Sequence, residues 1–267
     1  MTDNTPVLTV NGLCAGYADH SIIKDISFSL HPGEMLCVVG ESGCGKSTLL
    51  KTLMGTDPAV CLTAGDILLD GRGLAALHPR ERQRLCCTRM GMIFQNPGAS
   101  FDPIRRYGAQ FKDALKSHGK YHAECFFADA SAALAKLGLN DSRRILESRP
   151  YELSGGMNQR VAIALVLLLG QRILLADEPT SALDATVQLQ VAQELKKLSR
   201  EDGISQIVVT HNLALARFLS DRIAVLHKGQ FVEQGDTEAV LYTPHHPYTK
   251  HLIQAVPHLE RGEGDRL

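Results

Sequence analysis

Gly40-Glu41-Ser42-Gly43-Cys44-Gly45-Lys46-Ser47-Thr48 fits the pattern G-x-x-x-x-G-K-[ST], with Gly40, Gly45, Lys46 and Ser47 at its fixed positions. The flanks agree. Leu36 to Val39 is a short apolar run that reads as a buried strand, and Lys46 to Met54 reads as a helix. A triphosphate is a dense anion and needs donors packed closely around it. Glycines let the backbone approach and turn, so that successive N–H groups point inward. The following helix adds the positive end of its dipole. The pattern makes the whole stretch, Ser42, Gly43, Cys44 and Thr48 included, a candidate cradle. Lys46 is expected to reach the β- and γ-phosphates, and the Ser47 hydroxyl to ligate Mg²⁺. A glycine-rich turn of no function would explain the glycines but not the Lys-Ser pair.

Composition bounds what surrounds this loop. The chain has 267 residues, enough for one large domain or a domain with a lobe. Its formal net charge of −1 argues against coating nucleic acid or anionic membrane. Aromatic residues make up 5% of it and Trp is lacking, which disfavours a base-stacking surface. The opening Met-Thr-Asp-Asn-Thr-Pro has neither a basic region nor an apolar run, unlike a signal peptide. The longest apolar run, Val161 to Leu169, is too short to cross a bilayer, so a cytoplasmic protein is expected. The seven cysteines are odd in number and form no C-x-x-C, which suggests neither a disulfide framework nor a zinc site. Most are expected to be small buried apolar residues.

Along the chain, Val7 to Val10 and Ile22 to Leu30 read as strands, with Tyr17 between them in a loop. Gly65 to Gly71 reads as a strand closed by a turn, Pro79 to Leu85 as a charged helix, and Met90 to Phe94 as a strand ending at Gln95. Turn formers follow. From Arg106 to Leu146 the pattern is helical, with Tyr107 to Ser117 and Ala123 to Leu137 as its clearest helices. This reads as a helical insertion between two halves of an α/β domain. An apolar helix then runs to about Leu169, and Ile173 to Ala176 is a strand that ends in Asp177-Glu178. Thr186 to Ser199 reads as a helix, and Ser205 to Val209 as a strand followed by His211. Ile223 to Leu226 and Gln230 to Glu233 form a hairpin, and two short helices occupy Thr237 to Val256. No internal repeat is visible.

Several polar residues end apolar strands, on the face where open parallel sheets bind ligands. Asp177 is placed to hold Mg²⁺ through water, and Glu178 to orient or deprotonate an attacking water. Gln95 can ligate Mg²⁺ or water, and His211 can contact a γ-phosphate. Tyr17 can stack on an adenine ring. Taken singly, a Gln, a His or a Tyr at such places is more often an ordinary surface or packing residue. Ser154-Gly155-Gly156 precedes a helix and makes a second anion site by the same physics as the first: a Ser cap, two glycines and a helix N-terminus. One nucleotide does not need two such sites, which hints that two chains share each nucleotide.

Together these stretches resemble the ATP-binding subunits of ABC transporters over nearly the whole chain. Gly40 to Thr48 resembles Walker A, Leu153 to Arg160 the family signature, and Ile173 to Glu178 Walker B with its catalytic glutamate. Ser181-Ala182-Leu183-Asp184 resembles the D-loop, Gln95 the Q-loop, His211 the switch histidine and Tyr17 the A-loop aromatic. Met157 departs from the Gln that many members carry. Gln95-Asn96-Pro97 and His246-Pro247-Tyr248-Thr249 resemble the importer class that takes up dipeptides, oligopeptides and nickel, and a tail ending soon after Val256 is closer to its nickel or metallophore members.

The resemblance implies a P-loop NTPase fold: a RecA-like α/β core with an antiparallel β subdomain (1–95 and 165–236), a helical subdomain with the signature (96–164) and a C-terminal tail (237–267). It implies ATP and Mg²⁺ as cofactors and a head-to-tail dimer, with Ser154 and Gly156 of one subunit touching the γ-phosphate held by its partner. A paralogue is favoured over a second copy as that partner. Two transmembrane permease subunits and, indirectly, an extracytoplasmic binding protein complete the expected assembly, at the cytoplasmic face of the inner membrane and without nucleic acid. Rival readings are an accessory ATPase of a soluble phosphonate-degrading complex, an ABC ATPase acting on nucleic acid or ribosomes, and an exporter. The tail histidines His245, His246, His251 and His258 read as solvated residues around a His-Pro turn rather than as a metal site.

Overall fold

The computed structural model describes residues 5–18, 20–181 and 183–255. The chain begins β1 (Leu8–Tyr17), β2 (His20–Leu30), β3 (Met35–Val39), α1 (Lys46–Met54), β4 (Val60–Leu69), β5 (Arg72–Gly73), α2 (Pro79–Arg89) and β6 (Met90–Ile93). The helices α3 (Tyr107–Ser117), α4 (Phe126–Lys136), α5 (Ser142–Glu147) and α6 (Gly155–Leu168) follow. It continues β7 (Ile173–Asp177), α7 (Ala185–Arg200), β8 (Ser205–Thr210), α8 (Leu213–Leu219), β9 (Arg222–His227), β10 (Gln230–Asp236), α9 (Thr237–Tyr242) and α10 (Pro247–Gln254).

The strands make two sheets. One is antiparallel, in the order β2-β1-β4-β5; the other runs β10-β9-β3-β8-β7-β6. In the second, β9, β3, β8, β7 and β6 are parallel and only β10 is antiparallel to its neighbour. A parallel strand covered on both faces must be apolar throughout, and β3 is buried at all five positions. Its side chains alternate between two cores. Met35, Cys37 and Val39 join the core shared with the helical insertion, while Leu36 and Val38 join the one under α1 and the antiparallel sheet. β7 divides in the same way, with Leu174 and Ala176 on one side and Ile173 and Leu175 on the other.

The insertion packs on its own aromatic centre. Tyr107 meets Phe101 edge-on at 4.8 Å, and its hydroxyl donates to Asn158 Oδ1 at 2.6 Å. This joins α3 to the helix that carries the signature. Helix α6 passes unbroken through position 165, so the insertion and the core share a helix there.

Several differences from the sequence reading have local causes. β1 extends to Tyr17, far past Val10, because its register with β2 shifts between Val10 and Leu13 and again up to Gly16. Such bulges break the alternation by which a strand is read. β4 begins at Val60, opposite Tyr17, rather than at Gly65. Helices α5 and α8 are too short for periodicity to reveal; Asp141 caps the first and Asn212 the second. Most cysteines are not buried: only Cys37 and Cys86 are, while Cys61 and Cys125 are exposed and the other three are half-buried. Cys61 and Thr63 lie on the solvent side of β4, opposite in sense to Ile67 and Leu69. Among the described residues no helix is long and apolar enough to cross a membrane.

Candidate active site

Parallel register brings the candidate residues to one edge. Val39 is level with Thr210, Asp177 with Val209, and Ile93 with Ala176. The chain just beyond these positions carries Gly40, His211, Glu178 and Gln95. All four therefore emerge at the C-terminal ends of adjacent strands β3, β8, β7 and β6.

The loop from Gly40 to Gly45 joins β3 to α1. A Cβ on Gly40 would stand 2.3 Å from the carbonyl oxygen of Leu226, at the end of β9, so no other residue fits. Gly45 precedes the helix at φ 112°, a conformation that side chains resist. Lys46 is buried, and its ammonium donates to the carbonyls of Gly40 at 2.9 Å and Glu41 at 2.8 Å. An ammonium has three hydrogens, so these bonds aim the group and leave one for a phosphate oxygen. Ser42, Gly43 and Ser47 are exposed along the same loop, and Thr48 and Cys44 are half-buried. Burial pushes the Cys44 thiol up, with nearby Lys46 opposing that shift.

Asp177 ends β7 with only 9% of its surface exposed. Burial raises its carboxyl, and a hydrogen bond from the Ser47 hydroxyl opposes the rise. A buried carboxylate and a hydroxyl in contact are hard oxygen donors of the type that suits Mg²⁺. Burial of the charge also gives a cation something to compensate. The residues present thus fit the ion.

Glu178 is bracketed on both carboxylate oxygens. His211 Nδ1 lies 3.0 Å from Oε1, and Gln95 Nε2 lies 3.5 Å from Oε2. Its backbone is left-handed, at φ 46°, which is costly for a residue with a side chain. Three bonds hold it there. Glu178 N–H donates to Val209 O at 2.9 Å, and Glu178 O accepts from Ser181 N–H at 3.2 Å and Ser181 Oγ at 3.1 Å.

Tyr17 is not in a loop. It is the last residue of β1, paired with His20 and Val60. Lys51 of α1 pairs with Asp57 at 3.3 Å, and its ammonium is held above the usual lysine range by Asp57 first and by the nearby Tyr17 as well. The ring therefore stands beside the helix that starts at the phosphate loop.

Ser154 caps α6 by accepting from Met157 N–H at 3.3 Å, and Met157 packs into the core. Ser154 and Gly155 are exposed at this helix end. Gly156 is buried, and a Cβ there would stand 2.3 Å from Val187 Cγ1 of its own chain. Asp184 caps α7, accepting from Thr186 and Val187 N–H at 3.1 Å each. The two helix starts thus pack on each other. Ala182, within the D-loop stretch, lies outside the described residues, as does His258 of the tail.

Sequence reasoning missed Val187 and Tyr248. The Tyr248 hydroxyl accepts from Glu41 N–H, 3.2 Å away, across 207 positions of chain. The His-Pro-Tyr-Thr stretch was the only signal, and it marked resemblance rather than contact. His245 and His246 donate their backbone N–H groups to Glu233 at 2.7 and 3.1 Å, and the His246 ring caps α10.

Comparison with known proteins agrees with this geometry. A family described as ABC transporter matches residues 23–181, and one described as oligopeptide/dipeptide transporter, C-terminal region, matches residues 232–267. The chain is 35% identical over 260 residues to the dipeptide transport ATP-binding protein DppD of Bacillus subtilis, covering 95% of this chain and 78% of that one. It is 38% identical over 266 residues to the oligopeptide transport ATP-binding protein OppD of Salmonella typhimurium, covering 98% and 79%. A solved dimer of the ATP-binding cassette MJ0796, in a post-hydrolysis state with ADP and Pi, superposes with a TM-score of 0.74 at 29% identity, covering 86% of this chain and 98% of that one.

Proposed function

The chain belongs to the ABC transporter ATP-binding family and is an ATPase, and from that premise we propose that it powers uptake of peptides or related metal chelates through a membrane permease. The observation that carries the reading is the bracketing of Glu178 by Gln95 and His211, beside the loop that holds Lys46. The match of residues 232–267 to the oligopeptide/dipeptide transporter C-terminal region supports the substrate class.

The roles follow from the groups. Lys46 binds the β- and γ-phosphates, and the N–H groups from Gly40 through Thr48 surround them. Tyr17 faces the adenine. Ser47 and Asp177, with Gln95, would hold Mg²⁺, which neutralises phosphate charge when bound. Glu178 accepts the proton of the attacking water, and its hydrogen bond to His211 fixes which oxygen faces that water. His211, 60% exposed at its side chain, is placed to read the γ-phosphate.

Ser154 and Gly156, with Gly155 between them at the start of α6, would complete the site of a second ATPase subunit in a head-to-tail dimer, with Asp184 close to the seam. Gly156 also lets α6 and α7 close together. We favour a paralogue as the second subunit. The permease would dock where the insertion meets the core. There a cleft of about 370 Å³ is lined by Met92, Phe94, Phe101, Leu165 and Leu169, and Phe94, exposed by 42%, is next to Gln95. Such an arrangement couples the bound nucleotide to the docked partner through one residue step. On this reading the chain works at the cytoplasmic face of the inner membrane, with a binding protein delivering substrate from outside.

The test is purification of the tagged full chain from its own host, with ATPase assay of what accompanies it. Two permease subunits and a second ATPase are the expected companions. Soluble lyase subunits in their place would move the chain to phosphonate metabolism.

A further inference from the structure

We propose that Tyr248, on the tail helix α10, is a positioning residue for the phosphate loop: its hydroxyl fixes the Gly40–Glu41 peptide, whose opposite edge holds the Lys46 ammonium. The proposal rests on the reading of Lys46 as the cation that binds phosphate.

The geometry of one peptide links the two contacts. Gly40 C=O and Glu41 N–H belong to the same peptide group, which is planar and trans, so they point to opposite edges. Glu41 N–H donates to Tyr248 Oη at 3.2 Å, and Gly40 O accepts from Lys46 Nζ at 2.9 Å. A rotation of this peptide that broke the first bond would also swing the carbonyl away from Lys46. Gly40 has no side chain to resist such a rotation, so the restraint must come from elsewhere.

Tyr248 is itself held. Its ring lies 3.8 Å from the His227 ring, tilted by 34°. Its N–H donates to His246 Nδ1 at 3.1 Å, and Pro247 starts the helix with its φ already set. Glu233 on β10 anchors the preceding turn through the N–H groups of His245 and His246. The far end of the loop is tied to the same part of the fold, because Gly229 N–H donates to Cys44 O at 3.1 Å. The loop is thus seated between the β9–β10 hairpin and the tail. Each residue of His246-Pro247-Tyr248 then has a distinct part: the first caps α10, the second starts it, and the third aims its hydroxyl at the loop.

Tyr248→Phe in the full chain removes the hydroxyl and keeps the ring against His227. Three quantities are read: hydrogen exchange of the peptide spanning Gly40 to Gly45, ATP affinity by calorimetry, and the Tm without nucleotide. Exchange at the loop should quicken, and ATP binding should weaken by about three- to tenfold, the range of one neutral hydrogen bond. The change should fall on KM with kcat preserved, and the Tm should hold. A tail that is only packing would leave loop exchange and ATP affinity as in the wild type, and either of these unchanged in Tyr248→Phe overturns the proposal. Lys46→Ala separates the premise. If that variant binds ATP normally, the reading of Lys46 fails, whatever Tyr248→Phe does to exchange.

Discussion

A Cβ added to Gly156 would stand 2.3 Å from Cγ1 of Val187, so the first turn of α6 rests directly on the first turn of α7. Ser154 caps one helix and Asp184 the other. The stretch that the family resemblance assigns to the partner's nucleotide is therefore packed against the helix that Asp184 caps.

Gly156→Ala should force these helix starts apart. Overpacking of this kind costs about 1–3 kcal/mol, so the Tm should fall and ATP turnover with it. Val187→Ala in the same chain should restore much of both. Thermal denaturation and phosphate release on the single and double variants check this, and a single variant indistinguishable from wild type would refute it.

Glu178→Gln keeps an acceptor for His211 and a neighbour for Gln95 but removes the base. Turnover should drop by about 10²- to 10⁴-fold while ATP still binds. An ATP-bound dimer should then accumulate on size exclusion. Near-normal phosphate release would take Glu178 out of this role.

Lys46→Ala removes a buried cation and leaves the carbonyls of Gly40 and Glu41 without it. ATP affinity should fall by at least about tenfold, the scale of a hydrogen bond to a charged group. Isothermal titration of the full chain measures it.

Glu194 supplies a pH dependence. Burial pushes its carboxyl up to about 7, against the opposing pull of Arg160, whose Nη1 is 3.7 Å away. Folding therefore favours the protonated form. The contribution to stability is full below the ordinary carboxylate pKa of 4.5 and is lost as pH rises toward about 7. Glu194→Gln should flatten the fall in Tm over that window. An unchanged Tm-versus-pH curve would show that the carboxyl titrates normally in the fold.

The thiols divide by environment. Burial pushes Cys37 up to about 12 and Cys86 up to about 11, so neither should react with maleimide at neutral pH. Exposed Cys61 and Cys125 should label first. Cys44 should label slowly, lose ATP binding when it does, and be protected by ATP; mass spectrometry of labelled peptides against time checks the order. Full ATP affinity after stoichiometric labelling of Cys44 would remove the steric argument.

The sequence reads well where one local pattern carries the information. Helix α1 is expected over Lys46 to Met54 and is found there, because strand, loop and helix start are contiguous. The apolar runs of β3 and β7 are legible because a strand buried on both faces has no polar position to spare. β1 reads short because its bulges shift the register, and α5 and α8 escape notice because each is held by a cap and by neighbours rather than by a long apolar face. Gln95 and His211 are each weak alone, since no local pattern tells a strand-end Gln from a solvated one.

The sequence alone determined the phosphate loop, whose glycines, Lys46 and Ser47 lie within eight positions of Gly40 and need only their own backbone to meet. Tertiary structure decided everything that depends on register. It brought Gln95 to Glu178 across 83 positions and His211 to Glu178 across 33, through strands aligned side by side. It put Val187 on Gly156 and the Tyr248 hydroxyl on Glu41. The reason is that sequence periodicity reports which face of an element is apolar, whereas the partner of a single polar group is set by how separate elements align, to within a hydrogen-bond length.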